Sequence, residues 1–197
     1  MKTPHAPSQL FNTGSFGAVE LHAQDIPALQ EFFEANPEYF IAVNGQPPRR
    51  DEAHEEFHDA VPAGMPYTRK WLIGFVDGSG SLIGMASVVS DLLAARVWHI
   101  GLFVIATTLH GSGRAMAIHD RLEAWMRDQG ARWIRLGVVE GNARAERFWE
   151  KAGYREVRKR VGVEMGARIN TLRVMAKPLA GATLDEYLAR VARDRPE

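Results

Sequence analysis

Two apolar runs joined by the turn "DGSG" are the feature that most restricts how this chain can fold. The segment "RKWLIGFVDGSGSLIGMASVV" occupies residues 69–89. An Asp-Gly step between two such runs is a strong signal for an antiparallel β-hairpin. The chain is therefore predicted to build its fold on a β-sheet, with this hairpin as two of its strands.

Strands and helices alternate on both sides of the hairpin. A β-rich segment at residues 16–22 leads to Asp25, an N-cap for an amphipathic helix that Asn36 and Pro37 end. Residues 37–66 are rich in proline and are predicted to be irregular, apart from one short acidic helix at residues 51–60. Further strands are predicted at residues 97–105, 131–139, 154–160 and 171–177, with helices after "HGSG", from Asn142 and at residues 183–194. We expect an α/β (α+β) fold with one domain over residues 1–197, a core at 16–177 and helices on both faces of a mixed sheet.

Composition and charge exclude several classes of protein. With 197 residues, 46% of them apolar, the chain is long enough to bury a sizeable core. The 24 basic and 24 acidic side chains cancel, so the global charge does not point to a nucleic acid or an anionic membrane. The absence of cysteine excludes a disulfide framework, a thiolate nucleophile and cysteine-ligated zinc. Without a signal peptide or a spanning apolar run, the protein is expected to be cytoplasmic, with no nucleic-acid and no membrane partner.

The segment "HEEFH", from His54 to His58, matches the His-Glu-x-x-His pattern of zinc hydrolases. Such an enzyme needs a third ligand, and the further histidine that some of them carry does not follow here. The segment also lies in the short helix that interrupts the irregular residues 37–66. A solvated acidic face is therefore the favoured interpretation, and no metal is expected.

A glycine-bearing loop, "HGSG", opens directly into a long helix that carries four apolar residues on one face, namely Ala115, Ile118, Leu122 and Trp125. The unpaired N–H groups and the positive end of a helix N-terminus suit a phosphate or pyrophosphate. Gly111 and Gly113 would let such a ligand approach the main chain closely. The alternative is a plain strand-to-helix turn, and the missing Gly-Lys-Ser/Thr ending excludes a nucleotide-hydrolysing P-loop.

The loop "HGSGRA" and the later segment "RLGVVEGNARAERFWEKAGYREV" together resemble the GNAT superfamily of acyl-CoA-dependent N-acetyltransferases. The first is similar to the family's Arg/Gln-x-x-Gly-x-Gly/Ala element, and the second to its Asn-x-x-Ala-x-x-Phe-Tyr-x-x-x-Gly-Phe element. The resemblance is clear over residues 70–177. It implies acetyl-CoA as co-substrate and a mostly antiparallel, twisted sheet that is splayed between its fourth and fifth strands, where the pantetheine arm of the coenzyme is inserted.

The resemblance also implies which residues hold the coenzyme. The main chain of the strand at residues 97–105 would pair with the pantetheine amides and polarise the acetyl carbonyl. Asn142 would hold the pantetheine arm, although it is equally an N-cap for the helix that follows. The pyrophosphate would lie on the backbone of residues 111–115. The residues expected to bind the coenzyme are Phe103, Val104, Ile105, His110, Gly111, Ser112, Gly113, Arg114, Ala115, Asn142, Phe148 and Trp149.

Two positions depart from the family pattern. His110 stands where the family usually has Arg or Gln, which weakens the attraction of the loop for phosphate. Trp149 occupies the place where many members carry a tyrosine that protonates the departing thiolate, and an indole N–H is not an acid at neutral pH. A thiol with a reference pKa near 8.5 can leave as a thiolate without such an acid. Trp149 is therefore predicted to be a packing wall or a hydrogen-bond donor to sulfur.

His99 is the candidate catalytic base. In an alternating strand it shares a face with Gly101 and Phe103, and Gly101 leaves a hollow beside it. Several family members place a glutamate or histidine base at this position of the strand. An imidazole with a pKa near 6.5 suits removal of a proton from an amine. The alternative is a core histidine bonded to a backbone carbonyl.

These features predict an N-acetyltransferase that moves an acetyl group from acetyl-CoA to a primary amine by direct attack in a ternary complex. The acceptor is expected to be a small-molecule or peptide amine, and the five carboxylates of "DEAHEEFHD" favour a cationic one. The alternative is a catalytically weak or inactive acyl-CoA-binding sensor of the same fold, which Trp149 favours. The helix at residues 183–194, with a capping box of Thr183 and Glu186, is expected to pack on the core or to form a homodimer contact.

Overall fold

One eight-stranded sheet runs through the computed structural model, which describes residues 8–196. The strands are β1 (Gln9–Asn12), β2 (Gly17–Glu20), β3 (Arg69–Val76), β4 (Leu82–Ser90), β5 (Val97–Ile105), β6 (Trp133–Val139), β7 (Arg155–Met165) and β8 (Arg168–Pro178). The helices are α1 (Ile26–Ala35), α2 (Glu38–Asn44), α3 (Glu52–His58), α4 (Arg114–Asp128), α5 (Ala143–Lys151) and α6 (Leu184–Arg190). The strand order is β1-β2-β3-β4-β5-β6-β8-β7, and every neighbouring pair is antiparallel except β5 with β6. The predicted mixed, mostly antiparallel sheet is confirmed.

The parallel strands β5 and β6 separate towards one end. Backbone pairing joins Val97 with Trp133 and continues as far as Ile100 with Leu136. β5 runs on to Ile105 and β6 to Val139, and these ends are not paired with each other in the described part of the chain. The sequence-based count lacks β1, so β5 and β6 are its fourth and fifth strands. The predicted splay between those two strands is therefore confirmed.

Gly101 is an extra residue in β5, which makes it a β-bulge. Ser87 of β4 is paired with Leu102, and the next residue of β4 is paired with Ile100, so Gly101 has no partner in this register. A bulge reverses the alternation of side chains beyond it. His99 and Phe103 therefore lie on opposite faces of the sheet, and the prediction that they share a face is wrong.

Helices cover both faces of the sheet. α4 packs on one face, where Ile118 and Leu122 join the main apolar core together with α5. α1 packs on the other face through Leu29 and Phe33. α6 covers the part of that second face formed by β6, β8 and β7, where Tyr187 is fully buried. Of the two expectations for the C-terminal helix, packing on the core is the one observed.

Two elements are absent from the sequence-based prediction. β1 is a four-residue edge strand whose pairing is with β2. α2, "EYFIAVN", falls in the segment predicted to be irregular, because aromatic and β-branched residues are weak helix formers. Its burial of Phe40 and Val43 shows that tertiary packing, rather than propensity, stabilises the helix. The helix ends at Gly45, which has a φ of 77°.

The C-terminal elements differ in length from the prediction. β7 and β8 form a longer hairpin than the two strands predicted at 154–160 and 171–177. The predicted capping box is confirmed, since Oγ1 of Thr183 accepts from the N–H of Glu186 at 3.1 Å. The helix that it starts ends at Arg190, and a single 3-10 turn follows at Ala192–Asp194. Among residues 8–196, no helix has the length and apolar character needed to cross a bilayer.

Candidate active site

A cavity of about 470 Å³ occupies the gap between the separated ends of β5 and β6. The loop before α4 and the start of α5 form one end of it, while α2 and residues 61–65 contribute to its wall. Nine of the predicted site residues line the cavity, namely His99, Phe103, Ile105, His110, Gly111, Ala115, Asn142, Phe148 and Trp149. The other four predicted residues, Val104, Ser112, Gly113 and Arg114, do not line it.

The loop before α4 presents main-chain donors at one end of the cavity. Gly111 and Gly113 have φ angles of 77° and 81°, in the left-handed region that favours glycine. A Cβ at either position would meet no protein atom within 4 Å, so the space beside the loop is open. The first turn of a helix has no intrahelical partners for its N–H groups. This loop, with Ala115 in that first turn, can therefore receive an anionic group.

His110 holds an arginine at the same end of the cavity. Its Nε2–H donates to the carbonyl oxygen of Ile105 at 3.1 Å, which leaves Nδ1 as an acceptor. Nη1 of Arg144 donates to that Nδ1 at 2.9 Å. Arg144, which also lines the cavity, thus supplies a positive charge from α5 beside the loop. Sequence analysis missed Arg144, because nothing in the local spacing shows that α5 returns to this loop.

Along β5, the backbone N–H and C=O groups of alternate residues point towards the gap between β5 and β6. The N–H of Ala106 donates to the carbonyl oxygen of Ile83 at 3.0 Å, on the β4 side, so the N–H of Ile105 points the opposite way. Phe103 has the same orientation as Ile105, whereas Val104 directs its main chain towards β4. Phe103 and Ile105, rather than Val104, therefore offer main-chain groups to a ligand in the cavity.

Asn142 lies at the start of α5 and lines the cavity. Its Oδ1 accepts a hydrogen bond from the N–H of Ala145 at 3.3 Å, which confirms the interpretation as an N-cap. Within residues 8–196 its Nδ2 group has no hydrogen-bond partner, so two N–H donors remain for a ligand. The role of Asn142 towards a pantetheine arm stays a prediction.

Trp149 belongs to an aromatic wall of the cavity. Its ring lies edge-on to Phe148 and Phe103, with centroids 4.9 and 5.6 Å apart. Behind it, the hydroxyl of Tyr154 lies 3.1 Å from Nε2 of His119, and burial raises the pKa of Tyr154 well above its ordinary value. Neither Tyr154 nor His119 lines the cavity. The buried tyrosine therefore does not replace the acid that Trp149 cannot supply.

His99 has features of both interpretations that the sequence leaves open, a residue of the active site and a histidine bonded to a backbone carbonyl. Its ring is half-buried and lines the cavity, while Nδ1 lies 3.0 Å from the carbonyl oxygen of Arg135. A carbonyl oxygen can only accept, so this contact places the proton on Nδ1 and leaves Nε2 as an acceptor; the longer approach of Nη1 of Arg135 to the same Nδ1, at 3.3 Å, is then a contact between two donors. Burial, followed by the nearby charge of Arg135, lowers the pKa of His99 to about 3. The imidazole is thus neutral at physiological pH and is a much weaker base than the sequence-based value of 6.5 suggests.

A buried charge network lies beside His99. Nε of Arg135 donates to Oδ2 of Asp194 at 2.6 Å, and Nη2 of Arg160 donates to Oδ1 at 2.7 Å. The hydroxyl of Tyr187 donates to Oδ2 at 2.6 Å. Burial by itself raises the pKa of Asp194, but the hydrogen bonds and charges of these partners outweigh it and hold the pKa below its ordinary value. One carboxylate therefore serves two guanidinium groups.

The acidic helix α3 does not reach the cavity. Its carboxylates are engaged elsewhere, since Glu52 and Glu55 pair with Arg49, and Glu56 pairs with Lys70. Among the residues that the structure describes, no group of three or more His, Cys, Asp or Glu side chains is placed to hold a metal ion. The expectation of a cationic acceptor, which depended on this helix, has no support in the structure.

The open sheet and the glycine loop at its gap are the architecture of an N-acetyltransferase. Residues 28–154 match the sequence model of the acetyltransferase (GNAT) family. The chain belongs to this family, and the resemblance carried by the loop and the α5 segment is confirmed. A search of curated proteins gave no significant match.

Solved structures share the fold at low sequence identity. An acetyltransferase from Thermus thermophilus has a TM-score of 0.65 and 20% identity, over 84% of this chain and 97% of that one. The spermidine N-acetyltransferase of Vibrio cholerae, solved with CoA and spermine, has a TM-score of 0.64 and 17% identity, over 84% and 96%. The ribosomal-protein-S18-alanine N-acetyltransferase of Escherichia coli has a TM-score of 0.62 and 15% identity, over 85% and 96%. At these identities the likeness shows the fold alone.

Proposed function

We propose that this protein transfers an acetyl group from acetyl-CoA to a primary amine, which attacks directly while both substrates are bound. The observation that supports this most is the cavity that runs from the loop before α4 to His99. The loop end offers N–H donors and Arg144, while the His99 end offers a hydrogen-bond acceptor beside two arginines. Two substrates can therefore meet in this cavity from opposite ends.

The residues at the loop end fit the coenzyme. The open space beside Gly111 and Gly113 admits a pyrophosphate to the backbone, and a side chain there would fill it. Phe103 and Ile105 offer unpaired strand edges to the amides of a pantetheine arm. Acetyl-CoA supplies a thioester, whose carbonyl carbon is activated towards an amine.

The residues at the other end prepare the amine. Arg135 and Arg160 disfavour a further positive charge beside them, so they lower the pKa of an ammonium group bound near His99. The neutral amine then donates an N–H to Nε2 of His99, which orients its lone pair. His99 acts here as a hydrogen-bond acceptor, rather than as a base with a pKa near 6.5.

The departing thiolate needs no acid from the protein. A thiol has a reference pKa near 8.5, so the thiolate can leave, and the proton that the attacking nitrogen loses as the amide forms passes to the thiolate, directly or through water. Trp149, with Phe148 and Phe103, closes the cavity wall on this side. The indole ring of Trp149 takes no part in proton transfer. It shields this part of the cavity from water.

Two structural neighbours support an amine acceptor without identifying it. One is named for spermidine and the other for an alanine of ribosomal protein S18. These acceptors differ in size and charge, so membership of the fold does not determine the acceptor.

The experiment that tests the proposal is coenzyme release from acetyl-CoA with a panel of amines. The panel contains polyamines, amino acids, aminoglycosides and peptides with free N-termini, and each is measured beside direct binding of acetyl-CoA. Release with at least one amine supports the transferase. Binding of acetyl-CoA without release across the whole panel would show instead the sensor of the same fold, which the tryptophan at position 149 favours.

A further inference from the structure

We propose that the acceptor is an amine that carries a carboxylate next to its amino group, namely an α-amino acid with an apolar side chain. This inference rests on the proposed function, because it names the substrate class of the same site. Three observations support it: the sign of the charge at the His99 end of the cavity, the free donors of Arg160 and the apolar residues that line the same cavity.

The charge at the His99 end of the cavity is positive. Arg135 and Arg160 both line this end, and among the described residues no aspartate or glutamate lines the cavity. Asp194 lies behind the two arginines and is fully buried. One buried carboxylate cannot balance two guanidinium groups, so a net positive charge faces the bound acceptor.

Arg160 has donors to spare. Only its Nη2 is engaged, in the hydrogen bond to Oδ1 of Asp194, and its Nε and Nη1 groups have no partner within residues 8–196. The side chain is 24% exposed, and its exposed part opens on the cavity. Asp194 fixes the guanidinium from one side, so its free N–H groups have a fixed direction. A guanidinium held in this way can donate a charge-assisted hydrogen bond from Nη1 to a carboxylate.

The amino group and the carboxylate of the acceptor must lie close together. Nη1 of Arg135 is 3.3 Å from Nδ1 of His99, so an amine that contacts the His99 ring lies beside the guanidinium pair. An α-amino acid has a single carbon between its nitrogen and its carboxylate carbon, so its carboxylate would accompany the amine to this end of the cavity. A polyamine would instead bring further ammonium groups against two cations.

Another part of the cavity lining is mostly apolar. α2 contributes Tyr39 and Val43, and the segment at residues 61–65 contributes Val61, Pro62 and Met65. β4 and the turn after it add Val89 and Leu92, of which Leu92 is 2% exposed. An apolar side chain on the acceptor would bury its surface here, whereas a charged one would lose its hydration without a partner.

Matched acceptors test the inference in the parent protein. Leucine, methionine and phenylalanine are compared with their amides and with 3-methylbutylamine and spermidine, by coenzyme release at one pH. We expect kcat/KM to be roughly 10- to 100-fold higher for an amino acid than for its amide, as the loss of a charge-assisted hydrogen bond predicts. The amine of the amide has the lower pKa, so a larger fraction of it is neutral at a given pH. Faster release with the amino acid would therefore reflect its carboxylate and not its amine. Equal or faster release with the amides or with spermidine would overturn the inference while leaving the proposed function intact.

A substitution then assigns the preference to Arg160. Arg160→Gln should raise KM for the amino acids roughly 10- to 100-fold more than it raises KM for their amides, and Arg160→Lys should recover part of this difference. Arg155→Gln, an exposed arginine of the same strand outside the cavity, is the control and should leave both classes unchanged. Equal losses for acids and amides in Arg160→Gln would overturn the assignment. If no amine in the series causes release of coenzyme A, the inference is wrong. A separate measurement of acetyl-CoA binding then shows whether the protein still binds the coenzyme.

Discussion

Nε of Arg135 donates a 2.6 Å hydrogen bond to Oδ2 of Asp194, across 59 positions of the chain. Both side chains are buried, and the aspartate comes from the 3-10 turn after α6. That turn lies outside residues 28–154, which match the family model. The His99 end of the cavity is therefore built in part by a segment beyond the matched region.

Asp194→Asn should destabilise the fold strongly, because it leaves two guanidinium groups buried or half-buried without a counter-charge. Removal of one partner from a buried ion pair costs about 3–5 kcal/mol in free energy of unfolding. Urea denaturation at pH 7 measures this loss. Asp128→Asn is the control, since that carboxylate is exposed at the end of α4 and should change the unfolding free energy by less than about 0.5 kcal/mol. A loss below about 1 kcal/mol for Asp194→Asn would show that the network is not structural.

Gly113→Val should abolish binding of acetyl-CoA, because the new side chain would enter the open space beside the loop. The φ of 81° also strains any residue other than glycine, at a cost of about 1–2 kcal/mol. Gly130→Val separates the two effects, because Gly130 has a φ of 104°, also has open space around it and follows the far end of α4. We expect both variants to melt at lower temperature and only Gly113→Val to lose the coenzyme, as measured by calorimetry. Normal affinity in a folded Gly113→Val protein would count against the loop as the pyrophosphate site.

Arg144→Gln should weaken acetyl-CoA binding by roughly tenfold, because it removes the cation that His110 holds at the loop. The dependence of the affinity on salt should also become shallower, since one charge contact is lost. Arg147→Gln is the matched control on the same helix, because that side chain is exposed and does not line the cavity. Equal effects of the two substitutions would mean that α5 attracts the coenzyme only through its overall charge.

Local signals were enough to predict the sheet and the loop that forms one end of the cavity. The "DGSG" hairpin, the glycines before α4 and the N-cap at Asn142 each depend on residues within a few positions of each other. The packing of side chains on the sheet was less predictable. The bulge at Gly101 reversed the faces of β5, and an extra residue in a strand can only be recognised from its partner strand.

The charge network at the His99 end of the cavity could not be predicted from the sequence. Arg135, Arg160 and Asp194 lie on β6, β7 and the last turn, and they meet only because α6 folds back over the sheet. One signal was present, since Arg135 interrupts the apolar strand "ARWIRLGVV". A charge in a buried strand needs a partner, but the sequence does not show which residue provides it. The charges of α3, which were visible in the sequence, are instead used in local ion pairs.

The pH profile of activity should carry no acidic limb from His99 near pH 6.5. Burial and the charge of Arg135 lower its pKa to about 3, so the ring is neutral across the range in which an amine reacts. His99→Ala should still lower kcat, by roughly 10- to 100-fold, because the amine loses the acceptor that orients its lone pair. Any decline of the rate at low pH should occur at the same pH in the parent and in His99→Ala. If the parent shows an acidic limb near pH 6.5 that is absent in His99→Ala, the result would support His99 as the catalytic base.

His99 should also make the fold sensitive to acid. Its pKa is about 3 in the folded protein and about 6.5 in the unfolded chain, so between these values the unfolded chain binds a proton that the folded protein does not. Stability from this group is therefore complete above pH 6.5 and is lost as the pH falls towards 3. His99→Gln does not titrate, so the advantage of the parent over this variant should shrink by up to about 2 kcal/mol between pH 7 and pH 5. Urea denaturation at several pH values tests this, with the exposed His54→Gln as a control that should follow the parent curve. Parallel curves for parent and His99→Gln would show that the ring titrates alike in the folded and unfolded states.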